Sequence, residues 1–175
     1  MTGGAAEPAS PAREAPYIIR EARLEDVPAL VAIETAAFDP AAYGEGFTMN
    51  ARSFRRHVKR DSILLVAEQN GGDHAIAGYA LGWVKKTSPY VRFTSLAVLP
   101  EHGGRGAAWR LFEGIEKEAQ RRGLRGVRLE IREDNVRLLA RYKRQGYEVF
   151  KMVPHYYSDG AGAIRMIKDF SPGNS

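Results

Sequence analysis

Residues 96–111 read LAVLPEHGGRGAAWRL, and this stretch decides the fold. Its beginning closes the stretch Val91–Leu99, which reads as a strand. Pro100 stops the run, and glycines at 103, 104 and 106 allow a sharp turn whose N–H groups can face an anion. A helix over about 106–122 follows, with Ala108, Leu111, Phe112, Ile115 and Ala119 on one stripe and Gly123 in the C′ position. The helix N-terminus adds unpaired donors and the positive end of a dipole. On this reading Gly103, Gly104, Arg105, Gly106, Ala107 and Ala108 form a pyrophosphate site, although a plain tight turn would account for the glycines alone.

Two nucleotide sites fail on residue type. A dinucleotide fingerprint needs a third glycine where Trp109 stands. A P-loop needs Lys followed by Ser or Thr where Ala107 and Ala108 stand.

Working outward, strands and helices alternate. Tyr17–Glu21 reads as a short strand, and roughly 24–36 as a helix with Leu30, Ile33 and Ala37 on one face. Residues 38–49 (FDPAAYGEGFTM) read as an irregular loop, and Asn50 is a good N-cap for a second helix carrying Phe54 and Val58. Strands 63–68 and 75–84, joined by Asn70-Gly71-Gly72-Asp73, are expected to pair as a hairpin. After the central stretch, Val127, Leu129 and Ile131 alternate with Arg128, Glu130 and Arg132, a half-buried strand. A short helix over 135–144 and two strands over about 147–153 and 162–169 complete the order β-α-α-β-β-β-α-β-α-β-β. That order predicts a single α/β domain over 17–170, with a mixed sheet of about seven strands flanked by about four helices. Residues 1–16, small and Pro-rich, and 171–175 read as flexible tails.

Composition narrows the chemistry. The chain has 175 residues, 44% hydrophobic and 27% charged, which suits one domain with a real core. It has no cysteine, so disulfides, thiolate metal sites and a Cys nucleophile are excluded. The four histidines are widely spaced and no metal site is expected. No apolar run approaches the roughly 20 residues that cross a bilayer, and the first residues lack a secretory pattern. A cytoplasmic protein with no membrane partner is therefore expected. The net charge of +5 favours anionic partners. The basic residues sit mostly on helix faces, however, and nucleic acid is not an expected partner.

Three motifs occur in order: LAVLPEHGGRGAAWRL, LEIREDNVRLLARYKRQGY and HYYSDGAGAIRM. With them, 17–170 resembles a GNAT-superfamily N-acetyltransferase of the RimI-like branch. The resemblance implies acetyl-CoA as donor, a primary amine as acceptor, and a monomer or homodimer. The family loop reads Arg/Gln-x-x-Gly-x-Gly/Ala; Gly106 and Ala108 match, while Gly103 departs from the usual Arg or Gln. Leu96, Ala97 and Val98 fall on the strand whose backbone contacts the pantetheine arm, and Asn135 on the Asn that opens the helix near the cofactor. Tyr142 matches the Tyr beside the thioester sulfur, where its phenol could protonate the leaving thiolate; core packing against Leu138 and Leu139 is the alternative. Glu130 stands where the branch has its catalytic glutamate, with a surface charge pair as the alternative. Phe38, Tyr43, Tyr156 and Tyr157 fall on the acceptor-binding loops, although paired tyrosines before a strand also serve as core. Gly162 replaces an Asp of the family pattern. A protein or peptide amine is the expected acceptor. A small-molecule amine, or a regulatory module that binds acetyl-CoA without turnover, are the alternatives.

Overall fold

The computed structural model describes residues 15–38 and 48–170. Tyr43, most of the loop expected over 38–49, and the two tails other than Ala15 and Pro16 lie outside these. Among the described residues, seven strands form one mixed sheet with four helices, as the periodicities predict.

Strand β1 is Tyr17–Glu21, helix α1 Val27–Ala37 and helix α2 Ala51–Lys59. Strands β2, β3 and β4 are Ile63–Gln69, Ile76–Trp83 and Tyr90–Val98. Helix α3 is Ala107–Arg121, strand β5 Gly126–Arg132 and helix α4 Val136–Arg144. Strands β6 and β7 are Glu148–Val153 and Ala163–Asp169. The helix expected from residue 24 begins later, because Leu24–Asp26 is a 3₁₀ turn ahead of Pro28. Asn50 caps α2 as expected, its side chain accepting from the Ser53 N–H at 3.0 Å. Gly123 closes α3, and the Leu124 N–H returns to the Ala119 carbonyl at 2.9 Å.

The strand order is β1-β2-β3-β4-β5-β7-β6. Every pair is antiparallel except β4–β5. One core layer packs α3 against the sheet through Leu111, Phe112, Ile115, Val127 and Leu129. The other packs α1 and α2 through Leu30, Ile33, Phe54, Tyr79 and Leu81.

Two irregularities in β4 set up the site. Leu81 pairs with Ser95 and Gly82 with Phe93, so Thr94 is an extra residue bulged out of the β3–β4 ladder. On its other side β4 pairs with β5 only at Tyr90, Val91 and Arg92. Beyond Arg92 the two strands separate, and the edge of β4 from Phe93 to Val98 faces no strand among the described residues.

Candidate active site

The wedge between the parted strands is a cleft of about 350 Å³. Phe93, Ser95 and Leu96 of β4 form one wall, Leu129, Glu130 and Ile131 of β5 the other, and Ala108, Phe112 and Tyr142 the floor. The cleft thus brings together Leu96, Ala108, Glu130, Tyr142 and Phe38 of the expected site residues.

At the head of the wedge the chain turns into α3. Gly104 and Gly106 have φ of 72° and 86°, a region glycine adopts without strain. Gly106 is the N-cap residue. The backbone N–H groups of residues 104 to 109 have no hydrogen-bond acceptor among the described residues. Residues 103–106 are exposed. Six successive donors at a helix N-terminus fit a diphosphate. The parted edge of β4 offers further unpaired amide and carbonyl groups, which fits a pantetheine arm of alternating amides. Gln145, also lining the cleft, has a buried side-chain oxygen with no donor among the described residues. Such an atom is costly unless a ligand satisfies it.

Tyr142 is half-buried, its ring centroid 5.3 Å from that of Phe112 in a tilted contact and 5.5 Å from that of Tyr147 edge-on. Its hydroxyl has no hydrogen-bond partner among the described residues. Burial raises its pKa above the ordinary phenol value, with Arg141 opposing, so it keeps its proton at neutral pH. Packing and a free hydroxyl coexist here: the ring belongs to the core and its oxygen to the cleft.

Glu130 projects from the polar face of β5 and is heavily engaged. Arg165 donates to it at 2.5 Å, Arg92 at 2.9 Å and the Tyr156 hydroxyl at 3.1 Å. Burial alone would raise its pKa, but the Arg165 bond and the Arg92 charge outweigh this and hold the carboxyl below its usual range.

Next to the cleft, across Ser95 and Phe38, lies a second pocket of about 440 Å³. It is lined by Glu34, Met49, Leu81, Trp83, Thr94 and Tyr157 as well. Tyr157 therefore lines this second pocket, while Tyr156 reaches Glu130; neither is a fully buried core residue. Glu34 is buried, accepting from the Met49 N–H at 2.9 Å and from the Tyr79 hydroxyl. Tyr79 is 2.9 Å from the Ser95 hydroxyl at the mouth shared by both cavities. No sequence feature singled out Glu34, Tyr79, Ser95, Gln145, Arg92 or Arg165. A glutamate inside the apolar run of α1 was the one available signal.

Other expected residues fall elsewhere. Asn135 caps α4, its side-chain oxygen accepting from the Leu138 N–H at 3.1 Å, and it does not line the cleft. Ala97 is buried on the α1 side of the sheet, and Val98 packs toward the α3 side. Only their backbone can reach a ligand along β4. His102 lies in the turn ahead of the glycine loop and is buried, with its Nδ1 at 2.9 Å from the Tyr17 hydroxyl. At Gly162 a Cβ would come within 2.6 Å of a Glu133 carboxylate oxygen. An Asp in that position would set a second carboxylate against the first. Among the described residues no cluster of His, Asp or Glu could hold a metal ion, and no helix is long and apolar enough to cross a membrane.

Residues 27–147 match the model of the acetyltransferase (GNAT) family. A protein of Sulfurisphaera tokodaii described as an N-alpha-acetyltransferase is 30% identical over 162 residues, covering 86% of this chain and 91% of its own. The ribosomal-protein-S18-alanine N-acetyltransferase of Escherichia coli superimposes with a TM-score of 0.71 at 24% identity, over 91% of this chain and 98% of that one. The yncA protein of Salmonella typhimurium, solved with its cofactor acetyl-CoA, gives 0.70 at 22% identity over 91% and 97%.

Proposed function

The chain belongs to the GNAT family of acetyltransferases, and on that premise we propose that it transfers acetyl from acetyl-CoA directly to a primary amine of a protein or peptide, an N-terminal α-amine or a lysine. The observation that carries the reading is the row of six unpartnered amides opening onto the unpaired edge of β4 and the cleft holding Tyr142. The S. tokodaii relative supports an α-amine of a protein as acceptor. The three motifs support the RimI-like branch, and the reading takes the cytoplasm as the compartment.

The amides of residues 104–109 hold the diphosphate, and the β4 edge from Phe93 to Val98 holds the pantetheine. The donor supplies a thioester carbonyl. N–H groups along the same edge hold its oxygen as negative charge develops there. The acceptor enters past Phe38, Trp83 and Tyr157. It must be neutral to attack, and a lysine starts near pKa ~10.4, an α-amine near ~7.7–8.0. Glu130 takes the proton that the nitrogen sheds. Its pKa is lowered, so it is a weak base before attack; the nitrogen becomes strongly acidic as it bonds to the carbonyl carbon, and the transfer is then downhill. Tyr142 gives its phenolic proton to the thiolate as the C–S bond breaks. With no cysteine in the chain, transfer in one step needs no acyl-enzyme.

A CoA-release assay over N-terminal peptides, lysine peptides and small amines tests the proposal. Turnover of peptides supports it. Turnover of small amines alone would move the chain to a metabolite acetyltransferase. Acetyl-CoA binding without any release would make it a regulatory module.

A further inference from the structure

On the face of the sheet that α1 and α2 leave open, a groove of about 330 Å³ runs beside β5. Of its lining, only Trp83 and Glu130 take part in the steps above. Four cations line it, Lys85, Arg92, Arg128 and Arg165, against one carboxylate, Glu130. Arg92 and Arg165 share that carboxylate. Lys85 and Arg128 have no carboxylate within ion-pair distance among the described residues.

Arg128 does not swing freely. Its guanidinium lies 4.2 Å from the centroid of the Tyr90 ring and 5.3 Å from that of Phe150. Tyr90 is itself fixed, its hydroxyl donating to Asp169 at 2.6 Å. A guanidinium stacked on aromatic rings keeps its in-plane N–H donors available for a carboxylate. Such a donor set is pre-positioned, so less entropy is lost when it is used.

The groove also continues the acceptor path. Leu129 and Glu130 wall both it and the cleft, and Trp83 walls both it and the acceptor pocket. A chain whose amine reaches Glu130 past Trp83 therefore has its following residues beside the groove.

We propose that this groove receives the residues that follow the acetylated amine and selects acidic side chains among them. The inference rests on the peptide-acceptor reading above. Complementary charge across such a surface sets choice of partner and encounter rate, and a basic segment would be repelled.

Three peptides with one N-terminal residue in common and Glu, Gln or Lys at the next several positions test it, alongside a dipeptide amide too short to reach the groove. In low salt kcat/KM should fall in the order Glu, Gln, Lys. The first step should be about tenfold, since exposed ion pairs are worth roughly 0.2–1 kcal/mol each and two or three would form. The ratio should shrink toward unity at about 0.5 M salt, where the screening length is a few ångströms. Arg128→Glu should compress or reverse the order. Each ratio is taken within one enzyme preparation, so partial misfolding cancels. Equal rates for the three peptides, with the dipeptide acetylated, would overturn the groove and leave acetyl transfer standing. A Glu-to-Lys ratio as large in Arg128→Glu as in the parent enzyme would also overturn it, as would an RNA oligonucleotide that displaces the acidic peptide. Turnover of small amines with no peptide acetylated would instead remove the peptide reading itself.

Discussion

Gly103→Arg should tighten acetyl-CoA binding about tenfold or more. The residue has φ −60° and ψ 143°, an ordinary extended conformation for any L-residue. A Cβ there would meet one atom, the Pro100 carbonyl oxygen at 3.1 Å, which has to give by a few tenths of an ångström. Loss of glycine's freedom in the unfolded chain returns about 0.4–1 kcal/mol, so folding should be close to neutral. The added guanidinium would stand beside amides already disposed toward an anion. A charge-assisted hydrogen bond contributes about 1.5–3 kcal/mol net, which is roughly ten- to a hundredfold in Kd. Gly106→Ala is the contrast. At φ 86° a side chain costs about 1–2 kcal/mol, even though no atom lies within 4 Å of the new Cβ. That strain falls on the residue that opens α3, so this variant should bind more weakly and melt earlier. Isothermal calorimetry with acetyl-CoA, paired with thermal melts, reads both changes. If Gly103→Arg melts normally and binds no tighter, the diphosphate does not lie against this turn and the site is misplaced.

Tyr142→Phe should lower kcat by about 10²–10⁴-fold while leaving urea unfolding within about 0.5 kcal/mol, because the lost hydroxyl has no partner; full turnover would remove it as the acid. The lowered pKa of Glu130 keeps it charged across the working range, so kcat/KM should rise with pH until the acceptor's own amine titrates, near ~8 for an α-amine or ~10.4 for lysine; an inflection that stays fixed when the acceptor is changed would point to another base. The same shift gives a sign for stability: the contribution from Glu130 with Arg165 and Arg92 is present above the usual carboxylate pKa and is lost as pH falls through the lowered value. Gly126→Ala would drive a Cβ to 2.0 Å from the Lys168 carbonyl oxygen and should cost about 2–4 kcal/mol of stability, read by urea denaturation.

Much of this fold was legible in sequence because its signals are local. The stripe from Ala108 to Ala119, the Asn50 cap, Gly123 past the end of α3 and the alternation over 127–132 each report the geometry of a single element. What stayed hidden depends on contacts between distant residues. Nothing in the sequence places β7 between β5 and β6, and nothing marks Thr94 as the bulged residue, because register is settled by packing across the whole sheet. The resemblance pointed to Glu130, but its environment comes from Arg92 and Arg165, 38 and 35 residues away along the chain. The Glu34–Tyr79–Ser95 connection spans three elements and leaves no spacing to read. Gly162 looked like a departure from pattern, and becomes intelligible only once Glu133 is seen beside it.

The position of β6 at the border of the sheet has a consequence for how the molecule loosens. Among the described residues its only strand neighbour is β7, and its side chains are largely exposed, so it can peel away while the other six strands of the sheet stay joined. Local opening of this kind draws on the least buried segments first. Phe150, one of the two rings steadying Arg128, would leave with it. Mild heat or denaturant should therefore blunt discrimination among long acceptors before it touches turnover of the shortest ones, so that selectivity fails at a lower stress than chemistry does.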